Sequence, residues 1–153
     1  MKNKYFPDEE LTYNDLFFMC FMIEMTARKL KQHNKYIVNS LTDEDLYHLL
    51  SCANVLHCQN PLQTQADWIK DYNLEAGTFD ITDVDKELCR HLPSETAIGA
   101  VYARLIDSVT KDYVKGIKNI YNSEICNTID NYNASAYYEP SYVITRAYYE
   151  GGF

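Results

Sequence analysis

Apolar residues recur along this chain at steps of three and four, the period of a helix with a buried face. The first such stripe is Leu16, Phe17, Met19, Cys20, Ile23, Ala27 and Leu30. It predicts a helix that begins after Thr12 or Asn14 and runs to near Asn34. Arg28, Lys29, Lys31 and Lys35 then lie at the end where helix carbonyls attract cations. Phe18, Phe21, Met22 and Met25 widen the stripe past one face. A helix apolar on most sides is expected at the centre of a bundle. A second copy of the chain, in a homodimer, is the other way of covering it.

Thr42-Asp43-Glu44-Asp45 carries a capping-box pattern and opens a second helix with Leu46, Leu49, Leu50, Ala53 and Leu56 on one face. Asn60-Pro61 is read as its stop. A short helix over 62–73 holds Trp68, the only tryptophan. Gly77 marks a turn, 78–82 reads as irregular, and Asp83 to His91 as a helical piece before Pro93. Ser94 caps the next helix, whose stripe includes Ile98, Tyr102, Leu105 and Ile106. Ala97, Gly99, Ala100 and Ala103 are small enough to let another helix come close. The pattern resumes from Val114 to Ile129, with Gly116 as the expected kink or divider. Pro140 before and Gly151 after the last periodic stretch predict a final helix. Partial alternation from Tyr142 to Tyr149 leaves a terminal strand as the alternative. The fold class is therefore all-α: one domain over 1–153, a bundle of five to seven helices with a central apolar first helix, a tyrosine-rich C-terminal segment, and residues 1–11 as a flexible N-terminus.

Composition agrees with that class. The 153 residues, 46% of them hydrophobic, suffice for one domain with its own core. Five glycines and four prolines are too few for an all-β chain of this length. The longest apolar run, Phe17 to Ile23, falls short of the ~20 residues a membrane span needs. The first ten residues turn acidic after Lys4 and carry no apolar stretch, unlike a leader peptide. Five cysteines at irregular spacing do not form a disulfide framework. A cytoplasmic location with reduced thiols is expected.

Charge narrows the partners. The net charge of −8 opposes nucleic-acid backbones and anionic membranes. Residues 61–100 hold three basic against eight acidic side chains, the least balanced part of the chain. Asp83, Asp85 and Glu87 fall there. They read as solvated first-turn acids of a helix, or as an acidic face for a basic partner. An EF-hand loop beginning at Asp83 would need glycine and an acid where Leu88 and Ser94 stand, so calcium is not expected.

Histidine and cysteine cluster at His48 with Cys52 and at Cys89 with His91. These four would be the ligands of a zinc ion or the members of a thiol–imidazole pair. Neither Cys-x-x-Cys nor His-Glu-x-x-His occurs, and no turn pattern exposes either sulfur. Buried, inert thiols and no cofactor are expected. The glycine-rich elbow and phosphate-loop patterns are also missing.

Arg28-Lys29-Leu30-Lys31-Gln32-His33 has the spacing Arg-x4-His. This spacing resembles the active-site motif of all-helical ribonucleases found in prokaryotic toxins and defence systems. The resemblance implies an arginine on the scissile phosphate and a histidine that handles a proton. It extends over six residues only. Lys29 stands where that motif usually has a small polar residue, and the motif usually falls late in its domain.

Seven of fourteen tyrosines lie between Tyr121 and Tyr149. Tyr137, Tyr138, Tyr142, Tyr148 and Tyr149 are rigid, large and polar at one tip, which suits an interface; they also suit the rim of a core. The leading expectation is a non-enzymatic interaction protein of a bacterial type, antitoxin-like or inhibitor-like. It would meet a basic protein through these tyrosines and through Asp83, Asp85 and Glu87. The alternatives are a small ribonuclease using Arg28 and His33, and a homo-oligomeric structural protein.

Overall fold

Asp15 begins the first helix by closing back on the residue that precedes it: its carboxylate accepts from the Thr12 amide at 2.8 Å. In the computed structural model, which describes residues 1–153, eight α-helices follow one another: α1 (Tyr13–Leu30), α2 (Asn34–Ser40), α3 (Asp43–Leu56), α4 (Pro61–Asp71), α5 (Glu95–Val109), α6 (Tyr113–Tyr121), α7 (Glu124–Ile129) and α8 (Ser141–Glu150). A 3-10 turn spans Ala136–Tyr138, and there is no strand. The chain is all-helical, with more and shorter helices than the five to seven that periodicity predicts. No helix is long and apolar enough to cross a membrane.

The extra helices come from breaks that the apolar pattern passes over. α1 does not run to Asn34. Lys31 turns into the left-handed region (φ 54°), and the Gln32 amide reaches back to the Ala27 carbonyl at 3.0 Å. The loop after α4 takes the remaining carbonyls: Gly77 donates to Leu30 at 2.7 Å and Phe79 to Lys31 at 2.9 Å. Gly77 is required there, since a Cβ would lie 2.7 Å from the Lys31 carbonyl oxygen. The six-residue spacing from Arg28 to His33 thus straddles a break, and the following residues form α2.

Asn60-Pro61 starts a helix as much as it stops one. Asn60 accepts from the Leu62 amide at 2.9 Å, and Pro61 stands at the first position of α4, where its missing N–H costs nothing. Between α5 and α6 the break falls at Thr110, not at Gly116. Gly116 lies inside α6 on the face that meets α5; a Cβ there would be 2.5 Å from Ile106 Cγ2. The expected helix from Asp83 to His91 is absent. Asp80 and Asp85 accept instead from the Thr82 and Glu87 amides, both at 2.9 Å. Short aspartate side chains that hold isolated turns compete with a continuous helix. The terminal strand is likewise absent: α8 ends at Gly151 with φ 83°.

α1 packs against α2, α3, α4 and α5. α5 comes closest, because Gly99 rests on the Phe21 backbone. Below that crossing the rings of Tyr102 and Tyr121 stack at 4.2 Å, both fully buried. Residues 1–11, expected as a flexible arm, close a loop on themselves: Leu11 donates to the Met1 carbonyl at 2.7 Å, and buried Asn3 accepts from the Tyr5 and Phe6 amides.

Candidate functional site

Where α1 breaks, a cavity of about 970 Å3 opens between the end of α1, α2, the 79–82 loop and the chain after α7. Its floor is polar and built from four elements. Glu24 belongs to the otherwise apolar run of α1 and is only 4% exposed. One turn on, Arg28 places Nε 3.1 Å from Glu24 Oε1. The Tyr132 hydroxyl lies 3.4 Å from both Glu24 and Arg28. Asn34, the first residue of α2, donates from one amide nitrogen to Glu24 at 3.3 Å and to Asp130 at 2.9 Å. Asp130 also accepts from Tyr102 of α5 at 2.7 Å and from Cys126 of α7 at 3.3 Å.

The floor thus holds two carboxylates, of which Glu24 pairs with the Arg28 guanidinium. Burial, then the neighbouring Glu24 charge, raises Asp130 to about 6, against the pull of its hydrogen bonds. Burial works against the Arg28 charge, but Glu24 and Tyr132 outweigh it and push its pKa upward. Burial raises Tyr102, Tyr132 and the Cys126 thiol too. A thiol held in its protonated form is a poor nucleophile. At the cavity mouth the exposed His33 ring stacks on Phe79, centroids 3.8 Å apart. Lys31 and Lys35 complete the rim, and Lys35 donates to Asn127 at 3.0 Å.

Arg28 and His33 thus line one cavity, although on two elements and with no hydrogen bond between them. No protein-family model matches this chain, and neither curated proteins nor solved structures give a match. What the site can do rests on its own geometry.

The other candidate residues lie elsewhere. His48 is exposed on α3 and meets the edge of Tyr5, while Cys52 is half-buried beside Ser51. Cys89 is buried, its thiol directed at the His91 carbonyl. No group of three or more His, Cys, Asp or Glu side chains is arranged to hold a metal ion. Cys20, at the core, is pushed up to about 12 by burial.

Tyr138, Tyr142 and Tyr149 stand 76%, 72% and 66% exposed, whereas Tyr137 and Tyr148 are half-buried against the core. Tyr137 and Tyr138 border a groove of about 710 Å3 over α5, with Pro93, Val101, Pro140 and Ile144. Asp83, Asp85 and Glu87 are exposed on the long loop before α5. That loop is tied to the tyrosine segment by the Asp85 amide, which donates to Asn133 at 2.8 Å.

Sequence reasoning missed Glu24, Asn34, Phe79, Asp130 and Tyr132. A signal existed for the first: Glu24 is the only charge between Leu16 and Ala27, four residues before an arginine. The others come from the fold alone.

Proposed function

We propose that this chain is a non-enzymatic interaction protein, an antitoxin-like or inhibitor-like binder of a basic protein partner. One contact carries the reading: the Asp85–Asn133 hydrogen bond makes neighbours of the acidic loop and the tyrosine segment. Exposed rings supply rigid contact area at little entropic cost. Adjacent acids steer a basic partner and reject acidic ones. The net charge of −8 acts in the same direction at longer range.

The test is capture of a basic protein from the native source, followed by two variants. Tyr138→Ala with Tyr142→Ala, and Asp83→Lys with Glu87→Lys, should each release it without lowering thermal stability. Retention of the partner by both variants would sink the proposal.

A second reading is favoured by one observation, the shared cavity of Arg28 and His33. It is cleavage of RNA, with Arg28 on phosphate and His33 moving a proton. The Arg28 Nε bond to Glu24 and the His33 stack on Phe79 weigh against it. Incubation of the purified chain with RNA separates the two. Cleavage that disappears in His33→Ala would replace the binding reading, whereas an inert chain removes the nuclease.

A further inference from the structure

The cavity has a separation of charge that partner binding leaves unused. Its floor carries Glu24 and Asp130, which share the single amide nitrogen of Asn34. The one cation there, Arg28, has its Nε on Glu24. Asp130 is bonded only by neutral donors, Tyr102, Asn34 and Cys126. One inward carboxylate is left without a counter-charge of its own, an arrangement that attracts a cation. At the rim Lys31 and Lys35 outnumber one carboxylate, Asp80, which lies near enough to Lys31 to feel its charge. Lys35 is shared with Asn127, while Lys31 is exposed and makes no hydrogen bond through its ammonium group. Between floor and rim the stacked His33 and Phe79 rings offer an apolar wall against which an alkyl stem can lie. The volume, about 970 Å3, is at the upper end of small-molecule sites.

We propose that this cavity binds a small zwitterion of amino-acid or dipeptide size, with an ammonium or guanidinium group on Asp130 and a carboxylate at Lys31. The cation supplies the charge that Asp130 lacks. Lys31, whose ammonium group makes no hydrogen bond, is the rim cation placed to take a carboxylate. Glu24, Asn34 and Tyr132, all buried, hold the floor in place before the ligand arrives, so little ordering is needed on binding.

The test is calorimetric titration and thermal unfolding with three probes: L-arginine, agmatine (its cation without a carboxylate) and succinate. L-arginine should bind saturably and raise the unfolding temperature. Agmatine should bind more weakly, and succinate not at all. Asp130→Asn keeps the shape and should weaken L-arginine by at least about tenfold. Lys31→Glu lies on the surface and serves if the first variant does not fold. It should weaken L-arginine about tenfold and not weaken agmatine, a dication that the reversed charge attracts. The proposal is overturned by no response to L-arginine at about 10 mM, by succinate binding as well as L-arginine, or by L-arginine binding unaltered in the folded variants. The tyrosine variants should bind L-arginine normally, so this proposal and the partner reading fail separately.

Discussion

Asp130 holds its proton up to about pH 6 in the folded chain, while an unperturbed aspartate releases it near 3.8. Between those values the native state binds more protons than the unfolded one. The stability this group contributes is therefore full below about pH 4 and is lost as pH rises through about 6. The loss is at most about 3 kcal/mol, since a pKa unit is worth about 1.4 kcal/mol. Asp130→Asn should flatten that part of the curve, as read by urea unfolding at a series of pH values from 4 to 7. An unchanged slope would mean that the proton resides on another group. Gly99 is the other decisive single residue. A Cβ there would lie 2.9 Å from the Phe21 Cα and backbone nitrogen, and backbone cannot swing aside as a side chain can. Gly99→Ala should cost about 1–3 kcal/mol by overpacking, visible as a lower urea midpoint. Gly116→Ala meets only side-chain atoms of Ile106 and Thr110, so those two side chains have to give way before α5 and α6 part.

At the scale of elements, helix ends decide where the chemistry falls. α1 stops at Lys31 because two backbone partners from the 77–79 loop satisfy its last carbonyls, with no glycine at the turn. A non-glycine residue in the left-handed region costs roughly 1–2 kcal/mol, partly offset by the greater freedom of glycine when unfolded. Lys31→Gly should thus raise stability by about 0.5–1 kcal/mol, measured by chemical denaturation. A loss of stability would show that the Lys31 stem contributes more than its backbone costs. The long loop before α5 teaches the converse. Asp85, expected at the start of a helix, accepts from the Glu87 amide, and Asp80 just before it from the Thr82 amide, so that each holds a separate turn. An acid near the start of a predicted helix is ambiguous on its own, because the same side chain caps turns and helices alike. Only an adjoining apolar stripe distinguishes them. That stripe runs for four turns after Ser94, where α5 forms as predicted, and is limited to Val84, Leu88 and Cys89 between Asp83 and His91.

Across the whole molecule the two candidate surfaces are joined by rings. Tyr132, at the back of the cavity, meets Tyr137 edge-on at 5.4 Å, and Tyr137 lies 4.5 Å from Tyr138 at the groove. The rings differ in burial, and so should the effects of removing them. Tyr138 and Tyr142 are exposed and outside the core, so the double alanine variant should change stability by no more than about 0.5 kcal/mol. Tyr132 is buried and hydrogen-bonded to Glu24, so Tyr132→Phe should destabilise by about 1 kcal/mol or more. Thermal unfolding of both variants side by side checks this contrast. Equal losses would place Tyr138 and Tyr142 in the core rather than on a contact surface.

The linear order of residues determined the helical class, because burying one face of a helix demands apolar positions at its own period. It also determined the caps at Thr42 and Ser94 and the glycine stop at Gly151, each a local matter of one side chain or one φ angle. It placed Arg28 near His33 for the same reason, by proximity along the chain. It offered Gly99, one of four small residues, as a place where another helix comes close. Tertiary structure alone decided that α1 ends early, that Gly116 meets α5 instead of dividing the helix, and that Asn34, Asp130 and Tyr132 meet Glu24 beneath a cavity. Those residues are up to 108 positions apart, and hydrogen bonding between them depends on how whole helices cross. No periodicity within a short window encodes that crossing, since it is fixed by the packing of side chains from every helix at once.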